Sequence, residues 1–336
     1  MNNIEGNKNI KEIDKQTPLD RLDYSGDLKP VIDRIGDNYG IGEIRDFSVI
    51  EVGFEDCNVI IETTSGKYVA KIFSKERSQE DIVRYSAIME KVVEAGVNHP
   101  ELIRTGGGNA VYRDEEINGI SLVLMKFIEG NNFFALDRTP EVEERRAVIE
   151  EAAKINKIDY RPTYLSDTWA IPNIKVMFGK VKKFIQPDDI KLVEQAMAQY
   201  DDIPVNDLPH CFVHGDLTKA NIMKGDDGKI YVIDFSVSNW YPRIQELAVI
   251  AANLLHDKNS EMTLCDITEL VSKEYSKFNP LTAEEKKYLY PYALAAAAME
   301  FMGAHQEKYI KGNNSEETEY WLNLGRNGLR REFDKD

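Results

Sequence analysis

The most restrictive feature of this chain is a polar loop that leads directly into a tight hairpin. The loop is His214-Gly-Asp-Leu-Thr-Lys-Ala-Asn221, and two strand-like runs after it flank Gly225-Asp-Asp-Gly228. This tetrapeptide is a strong turn signal, so it predicts that the two runs pair as antiparallel strands. The pairing brings Asn221 and Asp234 to the same end of the hairpin. The fold must therefore place a polar site where the loop and the hairpin meet.

The residue types at this site are those that bind a hard cation and orient a hydroxyl group. Asn221 offers a neutral oxygen and Asp234 a charged one, a combination suited to Mg²⁺ on phosphates. Asp216 stands five residues before Asn221, where a carboxylate is able to hold a hydroxyl and take up its proton. Each residue alone has a plainer interpretation, since Asp216 also suits a turn cap and Asn221 a strand start. The three together, in this order, favour a catalytic site.

Upstream of the loop, the sequence predicts a small antiparallel sheet with one main helix. The strand signals are β-branched runs, and Thr64-Ser-Gly-Lys67 is a hairpin turn between two of them. Lys71 lies on one of these strands among apolar neighbours. Gly96 gives the helix a C-terminal stop signal. The predicted strands cover residues 47–52, 58–63, 67–73 and 120–128, and the helix covers 78–95.

Helical periodicity dominates the rest of the chain. The predicted helices cover residues 140–158, 174–184, 188–200, 243–255, 262–278, 283–310 and 315–333. A chain of 336 residues with this division predicts an α+β fold of two lobes with a cleft between them. We expect a mobile tail over residues 1–28, an N-terminal nucleotide-binding lobe over 29–127 and a C-terminal catalytic lobe over 128–336.

Composition narrows the choice of partners. The chain has 42 Lys and Arg against 58 Asp and Glu, a formal charge of −16, which argues against nucleic acid or an anionic membrane as partner. The three cysteines stand far apart, so the sequence supports neither a disulfide framework nor a zinc site. No apolar run is long enough to cross a membrane. We expect a soluble, cytoplasmic protein.

Three motifs in order resemble one known family. Val69-Ala-Lys71, the loop with Asp216 and Asn221, and Ile233-Asp-Phe235 are similar to those of the aminoglycoside phosphotransferase and choline kinase family, a protein-kinase-like branch of small-molecule kinases. The resemblance covers roughly residues 45–330. It implies ATP and Mg²⁺ between the lobes and transfer of the γ-phosphoryl to a hydroxyl of a small metabolite or antibiotic. Aminoglycoside-, homoserine- or choline-like acceptors are implied, and the acidic charge balance favours a cationic one.

The same resemblance assigns roles to individual residues. Asp216 is implied as the catalytic base, and Asn221 and Asp234 as the metal ligands. Lys71 is implied to bind the α- and β-phosphates. Two further groups are implied to contact the nucleotide: Asn58, at the end of the turn that covers the phosphates, and the strand residues Met125 and Phe127, which line the adenine pocket.

Two positions depart from the family pattern. The helix Glu that normally holds the lysine falls near Tyr85, so Asp81, one turn earlier on the same face, is the nearest substitute. Ser236 replaces the usual Gly after the magnesium Asp. The missing Glu leaves open an alternative, a catalytically inactive pseudokinase that binds nucleotide or acts as a scaffold. Phosphorylation of a protein is disfavoured, because no Ala-Pro-Glu segment follows Asp234.

Several residues near the motifs are expected to support the site. We expect His214 to be a buried, hydrogen-bonded part of the loop and not a proton carrier. We expect Arg243 and Glu246 to pair with the loop from a helix entry. Trp240 and Tyr241 are either walls of an acceptor pocket or ordinary core aromatics. The acidic groups around Glu300 are expected on a solvated helix face.

Overall fold

The computed structural model describes residues 17–22, 24, 26–51, 53, 55–116 and 119–334 of the chain. Across these ranges, no helix combines the length and apolar character that a membrane crossing requires. A sheet-based N-terminal lobe is followed by a mainly helical C-terminal lobe, and the predicted α+β class with two lobes is confirmed.

An antiparallel sheet forms the centre of the N-terminal lobe. Its strands run in the order β1-β2-β3-β6-β4, and β5 pairs with β6. Along β2 the side chains alternate between buried and half-buried, as expected for a strand with one face in the core. The strands are β1 (Ile44–Val49), β2 (Cys57–Thr63), β3 (Gly66–Ile72), β4 (Leu102–Ile103), β5 (Val111–Asp114) and β6 (Ile120–Lys126).

Each face of this sheet is covered by one helix. Leu122 and Leu124 of β6 join a core with helix α1 (Lys29–Tyr39), whereas Val123 points to the other face and joins the core that includes helix α2 (Gln79–Glu94). This alternation along β6 follows from the two-residue period of a strand. Packing on both faces fixes the strand β3, which carries Lys71, between the two helices.

The start of the chain differs from the prediction. Residues 1–16, 23 and 25 of the expected tail lie outside the described residues. Within the described part, Pro18–Arg21 forms a 3₁₀ turn, and Leu22 and Leu28 are buried in the N-terminal core. Helix α1 follows at once and was not predicted, although Val31, Ile32, Ile35 and Tyr39 bury one helical face. Its 11 residues include an interior Gly36, which weakens the sequence signal.

The C-terminal lobe is a helical assembly around the long helix α8. Two small sheets, ordered β10-β9-β7 and β11-β8, interrupt it. A π-helical turn over Ile250–Leu254 extends α6. The helices are α3 (Val142–Ile155), α4 (Ile174–Val181), α5 (Pro187–Asp201), α6 (Ile244–Val249), α7 (Leu264–Tyr275), α8 (Ala283–Tyr309) and α9 (Glu316–Phe333). The strands are β7 (Gly130–Asn132), β8 (His210–Val213), β9 (Ile222–Gly225), β10 (Ile230–Val232) and β11 (Asn239–Pro242).

The predicted hairpin after the polar loop is present. β9 and β10 pair antiparallel with Tyr231 opposite Met223, and the N–H of Ile233 donates to the carbonyl of Asn221 at 3.0 Å. Asn221 and Asp234 therefore flank the open end of the hairpin. The first strand after the N-terminal sheet, β7, already pairs with β9, so the chain enters the second lobe directly beside this hairpin.

Candidate functional site

A cavity of about 250 Å³ lies between the two lobes and is lined by residues of both. Five of the residues predicted from the sequence line it: Asn58, Lys71, Asp216, Asn221 and Asp234. Asn58 and Lys71 face each other across the β2–β3 pair, so the N-terminal sheet contributes both from neighbouring strands. The polar loop and the hairpin contribute the other three. The tertiary structure thus brings together residues that are up to 176 positions apart in the chain.

Within the loop, Asp216 and Asn221 are joined directly. The Nδ2 of Asn221 donates to the carboxylate of Asp216 at 2.6 Å and to its backbone carbonyl at 3.0 Å. Both bonds use the amide nitrogen of Asn221, so its amide oxygen is not engaged in them. The five-residue spacing of the motif therefore has a simple geometric meaning: it closes the loop on itself and fixes the carboxylate of Asp216 at the cavity.

Two buried side chains hold the start of this loop. The carboxylate of Glu246 on α6 accepts the backbone N–H groups of His214 at 2.8 Å and Gly215 at 2.9 Å. The Nδ1 of His214 accepts the N–H of Asp216 at 3.1 Å, and its Nε2 donates to the carbonyl of Ile233 at 3.0 Å. His214 is fully buried, and burial lowers its pKa to about 4, so the ring is neutral near pH 7. The structural roles predicted for His214 and Glu246 are confirmed, whereas the guanidinium of Arg243 pairs with Glu285 of α8 instead of with the loop.

Asp234 follows the hairpin in a left-handed backbone conformation with φ of 64°. A non-glycine residue in this region is strained, and such strain is concentrated at functional sites. The hydroxyl of Ser236 and the ammonium of Lys71 both donate to the carboxylate of Asp234; the lysine Nζ lies 3.0 Å from each oxygen. Burial opposes ionisation of Asp234, but the charge of Lys71 outweighs it and holds the pKa well below its usual range. Asp234 is therefore a carboxylate at neutral pH.

The expected partner of Lys71 is corrected. Asp81 does not reach the lysine, because its carboxylate accepts the N–H and the hydroxyl of Ser78 in a capping box at the start of α2. The second partner of Lys71 is Asp56, whose Oδ2 lies 3.0 Å from the ammonium. Asp56 immediately precedes β2, and the β2–β3 register that pairs Asn58 with Lys71 brings it close. The sequence feature that could have identified Asp56 as the partner is its position two residues before Asn58, which pairs with Lys71.

The electrostatics of the cavity are strongly negative around Asp216. Burial raises the pKa of Asp216 well above its usual value, and the charge of Glu300 is the next largest cause, followed by Asp234. Burial likewise raises the pKa of Glu300 to about 7. A cation placed among these carboxylates would favour their ionised forms. The site is therefore prepared to receive positive charge from ligands.

The side chains present fit a divalent cation held partly by its ligand. Asn221 and Asp234 supply one amide oxygen and one carboxylate at the end of the hairpin. In the described part of the chain, no group of three His, Cys, Asp or Glu side chains forms a complete metal cage. Mg²⁺ commonly uses one or two protein oxygens together with phosphates and water, so an incomplete protein shell is consistent with such use.

The opposite end of the cavity is built from α8 and α9. Glu300 and Glu307 of α8 and Glu317 and Trp321 of α9 line it, together with Trp169 from the loop before α4. The expectation of a solvated helix face around Glu300 is wrong, because α8 is buried over most of its length and turns these groups to the cavity. These residues were missed because only the packing of α9 against α8 encloses them.

The residues predicted to line an adenine pocket and an acceptor pocket lie elsewhere. Met125 and Phe127 do not line the cavity, and the N–H of Phe127 donates to the carbonyl of Lys67 at 3.0 Å. Their contact with a nucleotide stays a prediction. Trp240 and Tyr241 lie on β11, and Tyr241 packs in a small core with Val213. For Tyr241 the structure favours the interpretation as a core aromatic, whereas Trp240 is half-exposed with Arg161 over its ring.

Sequence comparison identifies a family and named relatives. The sequence model described as "Phosphotransferase enzyme family" matches residues 46–264. A homoserine kinase of Methylobacillus flagellatus is 23% identical over 271 residues, which cover 78% of this chain and 80% of that protein. A homoserine kinase of Granulibacter bethesdensis is 24% identical over 269 residues, covering 78% and 81%.

Solved structures of the same fold include a spectinomycin phosphotransferase and a choline kinase. The spectinomycin phosphotransferase, in complex with ADP and spectinomycin, superposes with a TM-score of 0.65 at 14% identity and covers 90% of this chain and 98% of its own. The choline kinase of Streptococcus pneumoniae gives a TM-score of 0.58 at 14% identity with the same coverage. At these identities the likeness shows a shared fold.

Proposed function

This chain belongs to the phosphotransferase enzyme family and is a small-molecule kinase, and on that premise we propose that it transfers the γ-phosphoryl of ATP to a hydroxyl of a small, amine-bearing metabolite. The single observation that carries the proposal is the cavity in which Lys71, Asp216, Asn221 and Asp234 meet between the lobes. Phosphoryl transfer requires positioning and charge stabilisation more than covalent chemistry, and this arrangement supplies both.

Asp216 is the residue that would orient the acceptor hydroxyl and take up its proton. The bonds from Asn221 and His214 fix its position, so no rearrangement of the loop is needed when the acceptor binds. The hydroxyl proton leaves late in a loose transition state, and the orientation of the nucleophile then matters more than the basicity of the carboxylate.

The nucleotide phosphates would lie between the N-terminal sheet and the hairpin. Lys71 and Asn58 face the cavity from the sheet, and Asn221 and Asp234 face it from the hairpin, where they would hold a divalent cation, in our proposal Mg²⁺. Such a cation neutralises charge on the phosphates during transfer. Two structural neighbours, named as complexes with ADP or with AMP-PNP and Ca²⁺, support nucleotide and divalent-cation use.

The acceptor end of the cavity favours an amine. Glu300 and Glu317 face it together with two tryptophans, a composition suited to a compact cation with apolar carbon atoms, whereas the charge of Glu307 is paired with Lys311 at 2.8 Å. Relatives named homoserine kinase make an amino alcohol of that size the leading acceptor. Choline-like and amino-sugar acceptors form the second group to test.

The alternative of an inactive pseudokinase loses its motivating observation. It was based on the absence of a helix Glu beside Lys71, and Asp56 places a carboxylate 3.0 Å from that lysine. All four polar residues that the chemistry needs are present. We therefore propose a single function.

The test is acceptor-dependent turnover by the purified full-length chain. With ATP and MgCl₂, we expect ADP release when homoserine, choline or an aminoglycoside is added singly, and a phosphate ester of the active compound in the ³¹P NMR spectrum. If no compound in the panel stimulates ADP release above the rate with water alone, the proposed acceptor class is wrong.

The matched variants are Asp216→Asn and Asp226→Asn. Asp216→Asn keeps the shape of the side chain but removes its charge, so kcat should fall by roughly 10²-fold or more while ATP affinity stays within about threefold. Asp226 lies exposed in the hairpin turn, and its variant should retain full activity. Turnover by Asp216→Asn at the wild-type rate would remove Asp216 from the mechanism.

A further inference from the structure

Lys71 is held by two carboxylates, and neither comes from helix α2. Its Nζ lies 3.0 Å from Asp56 on the turn before β2 and 3.0 Å from Asp234 after the hairpin. The lysine side chain is 5% exposed and that of Asp56 is fully buried. A buried ammonium requires such partners, because removal from water without them is costly.

Helix α2 presents a neutral aromatic side chain at the same place. Tyr85 is buried, and its ring centroid lies 6.0 Å from Nζ of Lys71. Its hydroxyl has no hydrogen-bond partner among the described residues. None of the four acidic side chains of α2 contacts the lysine: Asp81 lies in the N-terminal cap and Glu80 is exposed. Glu90 and Glu94 form ion pairs with Arg104 and Lys91. In the described chain, α2 therefore gives Lys71 no carboxylate.

Asp56 is itself fixed by several bonds. Arg77 donates to both of its oxygens, from Nε at 2.7 Å and from an Nη at 2.9 Å. The N–H of Ser74 also donates to it at 3.0 Å. These donors follow β3 closely in the chain, so the carboxylate is locked to the end of the strand that carries Lys71. A carboxylate with this many fixed donors is preorganised to hold the ammonium in one place.

We propose that Asp56 is the positioning residue for Lys71, and that it replaces a helix carboxylate which Tyr85 has displaced. The inference rests on the proposed function, in which Lys71 binds the phosphates of the nucleotide. Asp234 is also a candidate ligand of the cation, whereas Asp56 is held by Arg77 and Ser74 in the place where it contacts the lysine.

Because Asp56 lies on the turn between β1 and β2, the position of Lys71 depends on this turn and not on α2. The same turn is held from two other sides: Arg21 donates to the carbonyls of Gly53 at 2.7 Å and Asp56 at 3.0 Å, and the N–H of Gly53 donates to Glu317 of α9 at 3.1 Å. The position of Lys71 therefore depends on contacts with the C-terminal lobe and with the start of the described chain. Movement of α2 alone would leave the lysine in place.

The test compares the binding of ADP with that of adenosine, in the presence of Mg²⁺ and without any acceptor. Lys71 contacts phosphates, so a displaced lysine weakens ADP binding but leaves adenosine binding unchanged. We expect Asp56→Asn to raise the dissociation constant of ADP at least tenfold relative to that of adenosine, measured by isothermal titration calorimetry. Tyr85→Phe removes only the unpaired hydroxyl and should change the ratio less than twofold.

The decisive comparison moves the carboxylate from position 56 to position 85 on helix α2. In Asp56→Asn/Tyr85→Glu the new carboxylate lies close to the former ring position and within reach of Lys71, so most of the lost ADP affinity should return. Asp56→Asn/Tyr85→Gln has the same shape without the charge and should not recover. If Asp56→Asn alone does not fold, the two double variants still differ in folding and in ADP affinity, as judged by thermal unfolding and calorimetry.

Two results would overturn the inference: an unchanged ratio of ADP to adenosine affinity in folded Asp56→Asn, or equal behaviour of the Glu and Gln double variants. Failure of the premise that the cavity binds a nucleotide has a different signature, since wild-type protein would then not bind ADP at all. An unproductive acceptor panel with intact ADP binding leaves the role of Asp56 standing.

Discussion

At the scale of single residues, the polar loop over residues 214–221 is fixed by one buried carboxylate. Glu246 is fully buried and accepts the backbone N–H groups at the first two positions of the loop. Burial raises its pKa to about 7, although these donors oppose the change. The loop therefore depends on an acceptor with two oxygens turned to two donors.

Substitution of this acceptor should be costly. In Glu246→Gln one oxygen becomes an NH₂ group that faces a backbone N–H, so we expect a loss of about 1–3 kcal/mol in the free energy of unfolding. Urea denaturation followed by circular dichroism measures it. Glu269 is exposed on α7, and Glu269→Gln is the control, with an expected change within about 0.5 kcal/mol. Equal stability of the two variants would contradict the role given to Glu246.

Glu300 is the residue that should distinguish acceptors. Its Oε2 accepts the Nδ2 of Asn253 at 2.8 Å, which fixes it at the cavity beside Asp216. Glu300→Gln removes a charged partner for an ammonium group, so kcat/KM for an amine acceptor should fall at least tenfold while KM for ATP is unchanged. Initial-rate kinetics measure both constants, with the acceptor varied at saturating ATP and ATP varied at saturating acceptor. Exposed Glu316 supplies the control Glu316→Gln, and a parallel rise in KM for ATP would argue for a general structural effect instead.

At the scale of elements, the end of the cavity that Glu317 and Trp321 line depends on the close approach of α8 and α9. A Cβ atom on Gly325 of α9 would lie 2.5 Å from the backbone nitrogen of Phe301 and 2.8 Å from the carbonyl oxygen of Ala297, both on α8. The two backbones are therefore in contact at this point. The contact places Glu317 and Trp321 of α9 at the cavity opposite α8.

This contact predicts opposite effects for two glycine substitutions. Gly325→Ala forces α9 away from α8 and should lower the free energy of unfolding by about 2 kcal/mol or more. Gly179→Ala in α4 meets open space and should raise it by about 0.5–1 kcal/mol, because alanine favours the helix. Chemical denaturation of both variants provides the measurement. Stabilisation by Gly325→Ala would show that the two helices are not held together at this glycine.

At the scale of the whole molecule, buried titratable groups of opposite kind balance one another. Burial lowers the pKa of His214 and His256 to about 4. As pH falls from about 6.5 towards 4, the unfolded chain binds protons at these histidines before the folded protein does, so each of them lowers the free energy of unfolding. Burial raises the pKa of Glu246 and Glu300 to about 7. As pH falls from about 7 towards 4.5, the folded protein binds protons at these two groups first, so each of them raises the free energy of unfolding. The change of the unfolding free energy with pH is therefore a sum of opposing contributions from the histidines and the glutamates.

The contribution of His256 to this pH dependence is measured by comparing a variant with the wild type at two pH values. His256→Gln removes a group that is neutral in the folded protein but charged in the unfolded chain below pH 6.5. Between pH 7.5 and pH 5.5, the difference in unfolding free energy between variant and wild type should shift by roughly 1 kcal/mol in favour of the variant. Any constant loss from the missing ring cancels in this comparison. If the difference in unfolding free energy between variant and wild type is the same at both pH values, His256 does not titrate in this way.

Polar contacts join the two lobes, in addition to the apolar core that α2 shares with the C-terminal lobe. Lys71 of the sheet meets Asp234 of the hairpin, Gly53 meets Glu317 of α9, and Arg84 of α2 donates to the carbonyl of Thr163 at 2.7 Å. These links connect positions that are far apart in sequence. Ligands that enter the cavity therefore contact the same groups that join the lobes.

Local features were determined by the sequence alone. The strand-turn-strand signal after the polar loop gave the hairpin, because antiparallel pairing across a short turn needs no information from the rest of the chain. The five-residue interval between Asp216 and Asn221 is likewise local, and their hydrogen bond follows from it. The strands that carry Asn58 and Lys71 and most helices of the C-terminal lobe were also predicted, because their apolar periodicity is strong.

Only the tertiary structure decided which distant groups complete the site. Asp56 became the partner of Lys71 because the strand register and Arg77 place it there, whereas the local helix pattern pointed to Asp81. Glu300 faces the cavity because α9 packs on α8, although its helix alone suggests a solvated face. The physical reason is that a side chain's hydrogen-bond partners and burial depend on the packing of whole elements, and a periodic pattern within one element does not specify that packing.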